Sequence, residues 1–327
     1  MLKKIILGLF IVGLLAILFL NHRVPFFTEV PGNWSIGYGF SENVMDTVQI
    51  SDQNIYEVSD LEKDEKGSKL LADPFFLHEK DTFYLFFEHV IENSVGANIS
   101  VMTSADGKAY KYKGKVLDED FHLSYPQVFK HQGSHYMLPE TKNADNILLY
   151  KAERFPFGWK VYDTLVKNVR MKDPSIYLSD TLNIMVASDD ELVLKLYKSD
   201  GLHDEWKPVK TILRGSEARP GGRIFSHNKK LYLPMQNSQR GYGHYISIYE
   251  FVFDEGDIQL KKVTDKFLEG QKDIPAFSWG MHHYDVQPVG DSFYSVYDGT
   301  RRTEGEKKFN IRRSLKINYV DLLNWLN

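Results

Sequence analysis

Proline recurs at Pro74, Pro126, Pro174 and Pro220, at intervals of 52, 48 and 46 residues, and each one opens the same pattern. The units read ADPFFLHEKDTFYLFFE, SYPQVFKHQGSHYMLPE, KDPSIYLSDTLNIMVAS and ARPGGRIFSHNKKLYLPMQNS; a fifth, HYDVQPVGDSFYSVYDG from His283, keeps the pattern but moves its proline. Self-similarity at such a period marks a repeat architecture, in which each unit buries its apolar faces only against its neighbours. Proline is tolerated at the first residue of a strand, so each unit starts a strand there. A polar turn follows, such as His131–Ser134, and then an aromatic second strand, such as Phe83–Phe87.

Two more strands complete each unit. The third runs over Ile99–Thr103, Ile147–Lys151, Val193–Lys198 and Tyr245–Phe251; the fourth over Tyr110–Leu117, Lys160–Val166, Lys207–Leu213 and Gln259–Val263. Four short antiparallel strands in about 45–50 residues make a propeller blade. The fold class read from the pattern is therefore all-β, a five-bladed β-propeller over residues 71–327. A β-sandwich would not produce the proline register. The last blade is expected to take Asn310–Val320 as its third strand and Trp34–Phe40 as its outer strand, closing the ring. Residues 24–70 read as a stem with that strand, Ser51–Lys69 as a loop, and Tyr319–Trp325 as a short helix.

Residues 1–23 stand apart. Lys3 and Lys4 precede an uncharged apolar run from Ile5 to Leu20, which Asn21, His22 and Arg23 end. As a helix the run spans roughly 24 Å, slightly short of a bilayer core. Ile17-Leu18-Phe19-Leu20 offers no small residues for signal cleavage, so the expectation is an uncleaved, single-pass signal anchor. The lysines favour a cytoplasmic N-terminus and a propeller on the exported side. Beyond residue 23 the chain carries 37 basic against 44 acidic residues, which argues against a nucleic-acid partner. It has no cysteine, which excludes disulfides, thiolate catalysis and Cys-type zinc sites.

First strands line a propeller's channel, so their starts gather at one mouth. Here that set is Asp73, Tyr125, Asp173, Arg219 and the run His282, His283, Tyr284, Asp285, with His122 and Glu217 just before their strands. Glu88 and Glu140 each end a second strand 14 residues after a proline. The bland alternatives are turn-capping Asp residues, solvated strand-end Glu residues, and Arg219 as an internal counter-ion. Adjacent His282 and His283 should point to opposite faces and not pair on one metal. No metal ligand set or cofactor is assigned, and a channel calcium is left open. No nucleophile elbow, dinucleotide fingerprint or zinc-hydrolase helix is present.

Two family resemblances attach to these residues. Asp-Pro at the start of the first and third blades looks like the five-bladed propeller glycosidases of the invertase, levansucrase and arabinanase groups. That implies a nucleophile or base at Asp73 and a tuning or sugar-holding role at Asp173. Glu217 is the nearest counterpart of their general acid, yet lies three residues before Pro220 rather than two. The strings LADPFFL, YLFFE, DEDFHLSYPQVF, YMLPE, FPFGW and EARPGGRIF are more closely similar to the N-terminal propeller domain of glucosamine inositolphosphorylceramide transferases, over about Ala72 to Tyr249. That resemblance implies a site including Asp73, Glu88, His122, Glu140, Arg219 and Arg223. It also implies that the recognised glycosyltransferase domain of the plant proteins lies outside the propeller.

The leading expectation is a carbohydrate-active enzyme on a glycan or glycolipid substrate, with Asp73 as nucleophile or base and Glu140 as general acid. Asp173 and Arg219 would orient the sugar or tune the pair, and Tyr125, Trp279 and Tyr284 would stack on sugar faces. His283, Asp285 and Arg223 are further candidate substrate contacts. The alternatives are a non-catalytic glycan-binding module and a docking partner of a membrane glycosyltransferase.

Overall fold

Alternate residues of the second strand in the first repeat pack to opposite sides, and both sides are apolar. Phe83, Leu85 and Phe87 join one core cluster, and Phe86 joins another. A sheet buried on both faces needs a neighbour on each, which is what a ring of blades supplies. The computed structural model describes residues 1–45 and 50–326, and it is such a ring.

Helix α1 covers Leu2–Arg23, followed by strands β1 (Phe27–Ser41) and β2 (Ile55–Glu57) and the short helix α2 (Val58–Asp64). Blade I is β3 (Ser68–Glu79), β4 (Thr82–Ile91), β5 (Asn98–Ser104) and β6 (Lys111–Leu117). Blade II is β7 (Ser124–His131), β8 (Ser134–Glu140), β9 (Asn146–Arg154) and β10 (Phe157–Lys167). Blade III is β11 (Lys172–Leu178), β12 (Asn183–Ser188), β13 (Val193–Ser199) and β14 (Lys207–Arg214). Blade IV is β15 (Phe225–His227), β16 (Lys230–Asn237), β17 (Tyr245–Asp254) and β18 (Asp257–Glu269). Blade V runs β19 (Gly280–Val289), β20 (Ser292–Phe309), β1, β2, and helix α3 (Ile311–Leu326) ends the chain. Each blade is a four-stranded sheet of antiparallel pairs. The apolar residues form five clusters, one per blade interface.

Three expectations are corrected. Asn310–Val320 is not a strand but most of α3. Leu315, Ile317 and Tyr319 alternate as a strand would, yet the buried positions are Ser314, Ile317, Asn318 and Val320, whose separations of three and four residues are helical. β1 therefore closes the ring as the third strand, paired along β20 from Phe27↔Phe309 to Ser41↔Phe293, and β2 is the outer strand. Ser51–Lys69 is not a continuous loop: it holds β2, α2 and the start of β3. Glu57 and Asp60 form a reciprocal capping box, and Leu61 is fully buried, which together hold a helix too short to persist alone.

The channel is crossed by polar ties between inner strands. Gln127 Nε2 donates to Ile176 O at 2.9 Å, and Ile176 N–H donates back to Gln127 Oε1 at 2.9 Å. Gln287 Nε2 donates to Phe76 O at 2.6 Å. Blade IV departs most from the repeat: Pro220 makes only a bridge to Met235 before β15 begins. The cause is Gly221-Gly222, whose backbone runs against β19. Gly221 O accepts from Tyr284 N–H at 2.7 Å, and a Cβ on Gly222 (φ 154°) would lie 1.8 Å from Tyr284 O. Only glycine fits there.

α1 is 22 residues long, or roughly 33 Å. It is longer than the apolar run alone, is apolar enough to cross a membrane, and contains no buried residue.

Candidate functional site

The residue before the repeat proline adopts positive φ in three blades: Asp73 at 51°, Tyr125 at 51° and Asp173 at 47°. This is an unfavourable region for a side-chain-bearing residue. At each of them the ladder skips, between Ala72 and Phe75, Ser124 and Gln127, and Lys172 and Ser175. A bulge of this kind re-aims a side chain. In blade V the skip falls between Met281 and His283, so His282, not Tyr284, holds the equivalent place. The same bulge overturns the expectation that His282 and His283 diverge. His282 Nε2 lies 3.5 Å and His283 Nδ1 3.7 Å from one oxygen, Asp73 Oδ1.

Around this mouth the structure gathers Asp73, Glu88, Glu140, Asp173 and Asp298 with Arg219, His122 and His282. Arg219 binds Asp173 through Nε, and through Nη2 at 3.1 Å; its Nη2 is also 3.8 Å from Glu140 Oε2. Arg219 is thus the counter-ion of Asp173 rather than of Asp73. Gln236 Nε2 adds a 3.1 Å bond to Asp173 Oδ2. Asp298 Oδ1 accepts from His282 Nδ1–H at 2.6 Å, and its Oδ2 accepts the Asp73 backbone N–H at 2.8 Å. Glu88 Oε1 stands 3.5 Å from His122 Nε2. Asp73 Oδ1 and Glu140 Oε2 are buried with no hydrogen-bond partner, which does not fit a turn-capping role for Asp73.

Four buried carboxyls and the partly exposed Glu88 share one guanidinium and the imidazoles, so they cannot all ionise. Burial, opposed by the His282 charge, pushes Asp73 up to about 7. Burial and the neighbouring Asp173 charge push Glu140 up to about 8. Burial and the charges of Asp73 and Glu140 raise Glu88 well above the usual range. Asp173, despite its burial, is held low by Arg219, and Asp298 is held low by His282. His282 is raised by Asp298, while burial lowers His283 to about 4. The Asp173 carboxylate beside Glu140 favours the protonated form of Glu140.

A carboxyl whose folded pKa is raised stabilises the protein fully below its unfolded pKa, and that contribution is lost as pH rises through the folded value. Glu140→Gln removes the loss. Its melting temperature relative to wild type is therefore expected to climb from pH 4.5 to pH 8. A difference that stays flat across that window would mean that Glu140 is ionised throughout.

Other expected site residues lie deeper. Tyr125 is fully buried; its OH donates to Gly222 O at 2.7 Å and accepts Gly222 N–H at 2.7 Å. Its ring meets Phe75 and His283, leaving no face for a sugar. Tyr284 and Trp279 are likewise buried in the protein. Arg223 and Asp285 pair inside the channel, at 2.7 Å from Nε to Oδ1. Glu217 points into blade IV, where Asn237, Ser247, Tyr249 and Lys262 bind it. The misplacement seen in its sequence position is thus real in space.

Sequence reasoning missed Asp298, Gln236, Tyr242 and the part played by Trp34. Asp298 had a signal, since it follows the aromatic second strand of the fifth unit, in SFYSVYD, as Glu88 and Glu140 follow theirs. Trp34 stacks on His282 at 4.0 Å between ring centres, and Tyr242 lies over the Arg219 guanidinium at 5.2 Å. Neither contact has a sequence signature. A cavity of about 280 Å³ opens beside Arg219, Gln236 and Tyr242 and reaches α3.

Ligand atoms of Asp73, His282 and Asp298 lie within 4.8 Å of one another. Two carboxylates and an imidazole suit calcium poorly, since that ion takes about six to eight oxygens, and His282 already spends one nitrogen on Asp298.

Residues 52–300 match the family described as glucosamine inositolphosphorylceramide transferase 1, N-terminal. Curated relatives named glucosamine inositolphosphorylceramide transferase 1 include a protein of Oryza sativa subsp. japonica, 31% identical over 76% of this chain and 35% of its own length. One of Arabidopsis thaliana is 28% identical over 84% of this chain and 40% of its own length. The chain thus spans little more than a third of these relatives. Among solved structures, an exo-1,5-α-L-arabinanase from a bovine ruminal metagenomic library is similar with a TM-score of 0.51 and 19% identity, covering 73% of this chain and 90% of that one. An endo-arabinase from Bacteroides thetaiotaomicron gives a TM-score of 0.54 and 14% identity, covering 72% and 95%. At such identities the likeness shows the fold.

Proposed function

Because the chain belongs to the glucosamine inositolphosphorylceramide transferase 1 N-terminal family, we propose that it is a membrane-anchored carbohydrate-active protein that transfers or hydrolyses a glycosyl group on a surface or lipid-linked glycan. The observation that carries this reading is the cluster of acids at the mouth, in which Arg219 is bonded to Asp173 and His282 to Asp298 while Asp73 Oδ1 and Glu140 Oε2 are left without hydrogen-bond partners. Glycosyl chemistry needs one carboxylic acid to protonate the leaving oxygen and one carboxylate to attack or activate a nucleophile. Environments that push two carboxyls apart make that assignment.

Glu140 is the general acid. Pushed up to about 8, it carries its proton at neutral pH. Asp173, kept ionised by Arg219, places a negative charge beside Glu140 and keeps it from ionising. Asp73, pushed up to about 7, is the base or nucleophile, and its unpartnered Oδ1 is the atom that acts. Asp298 orients His282, whose charge stabilises the Asp73 carboxylate as it forms. Arg219 and His122, partly exposed above the acids, and Glu88 hold the sugar. α1 supports anchoring, and Lys3 and Lys4 favour an exported propeller.

The test uses the full chain in detergent with a panel of nucleotide sugars, aryl glycosides and glycolipids, measuring turnover by mass spectrometry alongside binding. Turnover of one class is expected, with both signals weakened by Arg219→Met. Binding without turnover across the panel would replace the enzyme by a glycan-binding module or a docking partner of a membrane glycosyltransferase.

A further inference from the structure

Helix α3 carries its apolar residues on the wrong side for a surface helix. Its inner face, Ser314, Ile317, Asn318 and Val320, packs on the protein. Ile311, Leu315, Tyr319, Leu322 and Leu326, spaced by four, four, three and four residues, form one stripe that is exposed, and Trp325 beside it is 79% exposed. A helix on a water-facing surface carries polar residues there.

The inner face of α3 is bonded to the end of α1. Arg23, the last residue of α1, donates from Nη2 to Asp321 Oδ2 at 2.6 Å and from Nη1 to Asn318 Oδ1 at 3.1 Å. Asn318 Nδ2 donates to Leu20 O at 3.3 Å, and Ser314 Oγ to Val24 O at 2.6 Å. Phe27 and Phe309, both exposed and 5.0 Å apart between rings, lie where β1 and β20 reach this junction. Arg312, Arg313 and Lys316 lie near the start of α3, with Arg313 donating to Ser238 O and Lys316 paired with Glu191 at 2.9 Å, while its one acid, Asp321, turns inward to Arg23 and Ser216. Apolar residues flanked by basic ones, with Tyr and Trp at the margin, are the composition of a helix lying in a membrane interface.

We infer that α3 lies along the bilayer surface with its outer stripe among the headgroups, so that the cavity beside the mouth opens at the lipid plane. This rests on the proposal that α1 spans the membrane. Continuity with α1 and the basic cluster select a lipid surface rather than a second copy of this chain. Arg313 and Lys316 also line the cavity that reaches Arg219, and Arg313 Nη1 is buried with no hydrogen-bond partner among the described residues. A lipid-linked glycan would therefore reach the acids from the membrane side, its anionic headgroup passing Arg313.

The chain has no cysteine, so single-cysteine variants take a spin label without background. Leu14→Cys reports on α1, Leu322→Cys and Tyr319→Cys on the stripe, and Asp180→Cys on the turn between β11 and β12, at the far rim. The full-length variants are reconstituted in vesicles of phosphatidylcholine and phosphatidylglycerol, and collision with oxygen is compared with collision with a water-soluble nickel complex. Labels at 322 and 319 are expected to favour oxygen several-fold more than the label at 180, and less than the label at 14. Labels at 322 and 319 as aqueous as that at 180, with 14 inserted, would overturn the inference and leave the anchor standing. An aqueous label at 14 would remove both.

Discussion

Asp73→Asn and Glu140→Gln are each expected to lower turnover by about 100- to 10,000-fold, the usual contribution of a general acid or base, while substrate binding changes little. Both substitutions keep the shape and remove the proton chemistry. They act on opposite limbs of the pH profile. Activity of the wild type requires Asp73 ionised and Glu140 protonated, so it should rise through about 7 and fall through about 8. The two values are close, so the profile is a narrow bell. In Glu140→Gln the alkaline limb should vanish and the residual rate should level off above pH 7. In Asp73→Asn the acid limb should vanish. Measurement of kcat/KM from pH 5 to 10 decides this, and wild-type rates in both variants would remove the two acids from the chemistry.

Asp285→Ala is expected to destabilise the ring by about 3–5 kcal/mol, the cost of breaking a buried pair by removing one partner. Asp285 is fully buried and takes Arg223 Nε at 2.7 Å, Arg223 Nη2 at 3.2 Å and the Phe76 backbone N–H at 3.0 Å. Arg223 Nη2 also donates to Phe76 O and Val128 O, so this one pair ties blades I, II, IV and V across the channel. The substitution leaves a guanidinium without its counter-charge and an amide without its acceptor. Replacing both partners, as Arg223→Met with Asp285→Leu, should cost less than Asp285→Ala alone. Urea titration of the three variants at pH 7 checks the order, and a double variant as weak as the single one would mean that packing rather than charge is lost.

The five blades were legible because all repeat a polar turn and an aromatic strand, four of them behind a proline in register, and because both faces of every strand must find a neighbour. What failed was the end of the ring. Leu315, Ile317 and Tyr319 alternate as a strand would, and only the burial of Ser314 and Asn318 shows the helical phase. A strand near residue 34 could be placed in the last blade but not at its correct position, because pairing between distant segments leaves no local trace. In the site, Asp73, Asp173, Glu88, Glu140 and Arg219 were readable from repeat position alone. His282 was passed over in favour of His283 because the fifth unit lacks the proline that marks the bulge. Trp34 and Tyr242 reach the mouth only through ring closure and a long loop, so no spacing could have named them.

Ring closure by β1 also sets an order of events in time. Trp34 pairs with Thr300, so 300 − 34 = 266 residues must be added after it before its partner exists. At about 5–20 residues per second that is roughly 13–53 s of synthesis. For that interval four blades can assemble, while the fifth interface and the mouth bounded by His282 and Asp298 stay open. The bonds that close the ring are thus also those that complete the acidic mouth. A chain cut before β20 begins at residue 292 lacks both Asp298 and the strand that pairs with β1, so it loses its chemistry and its closure together.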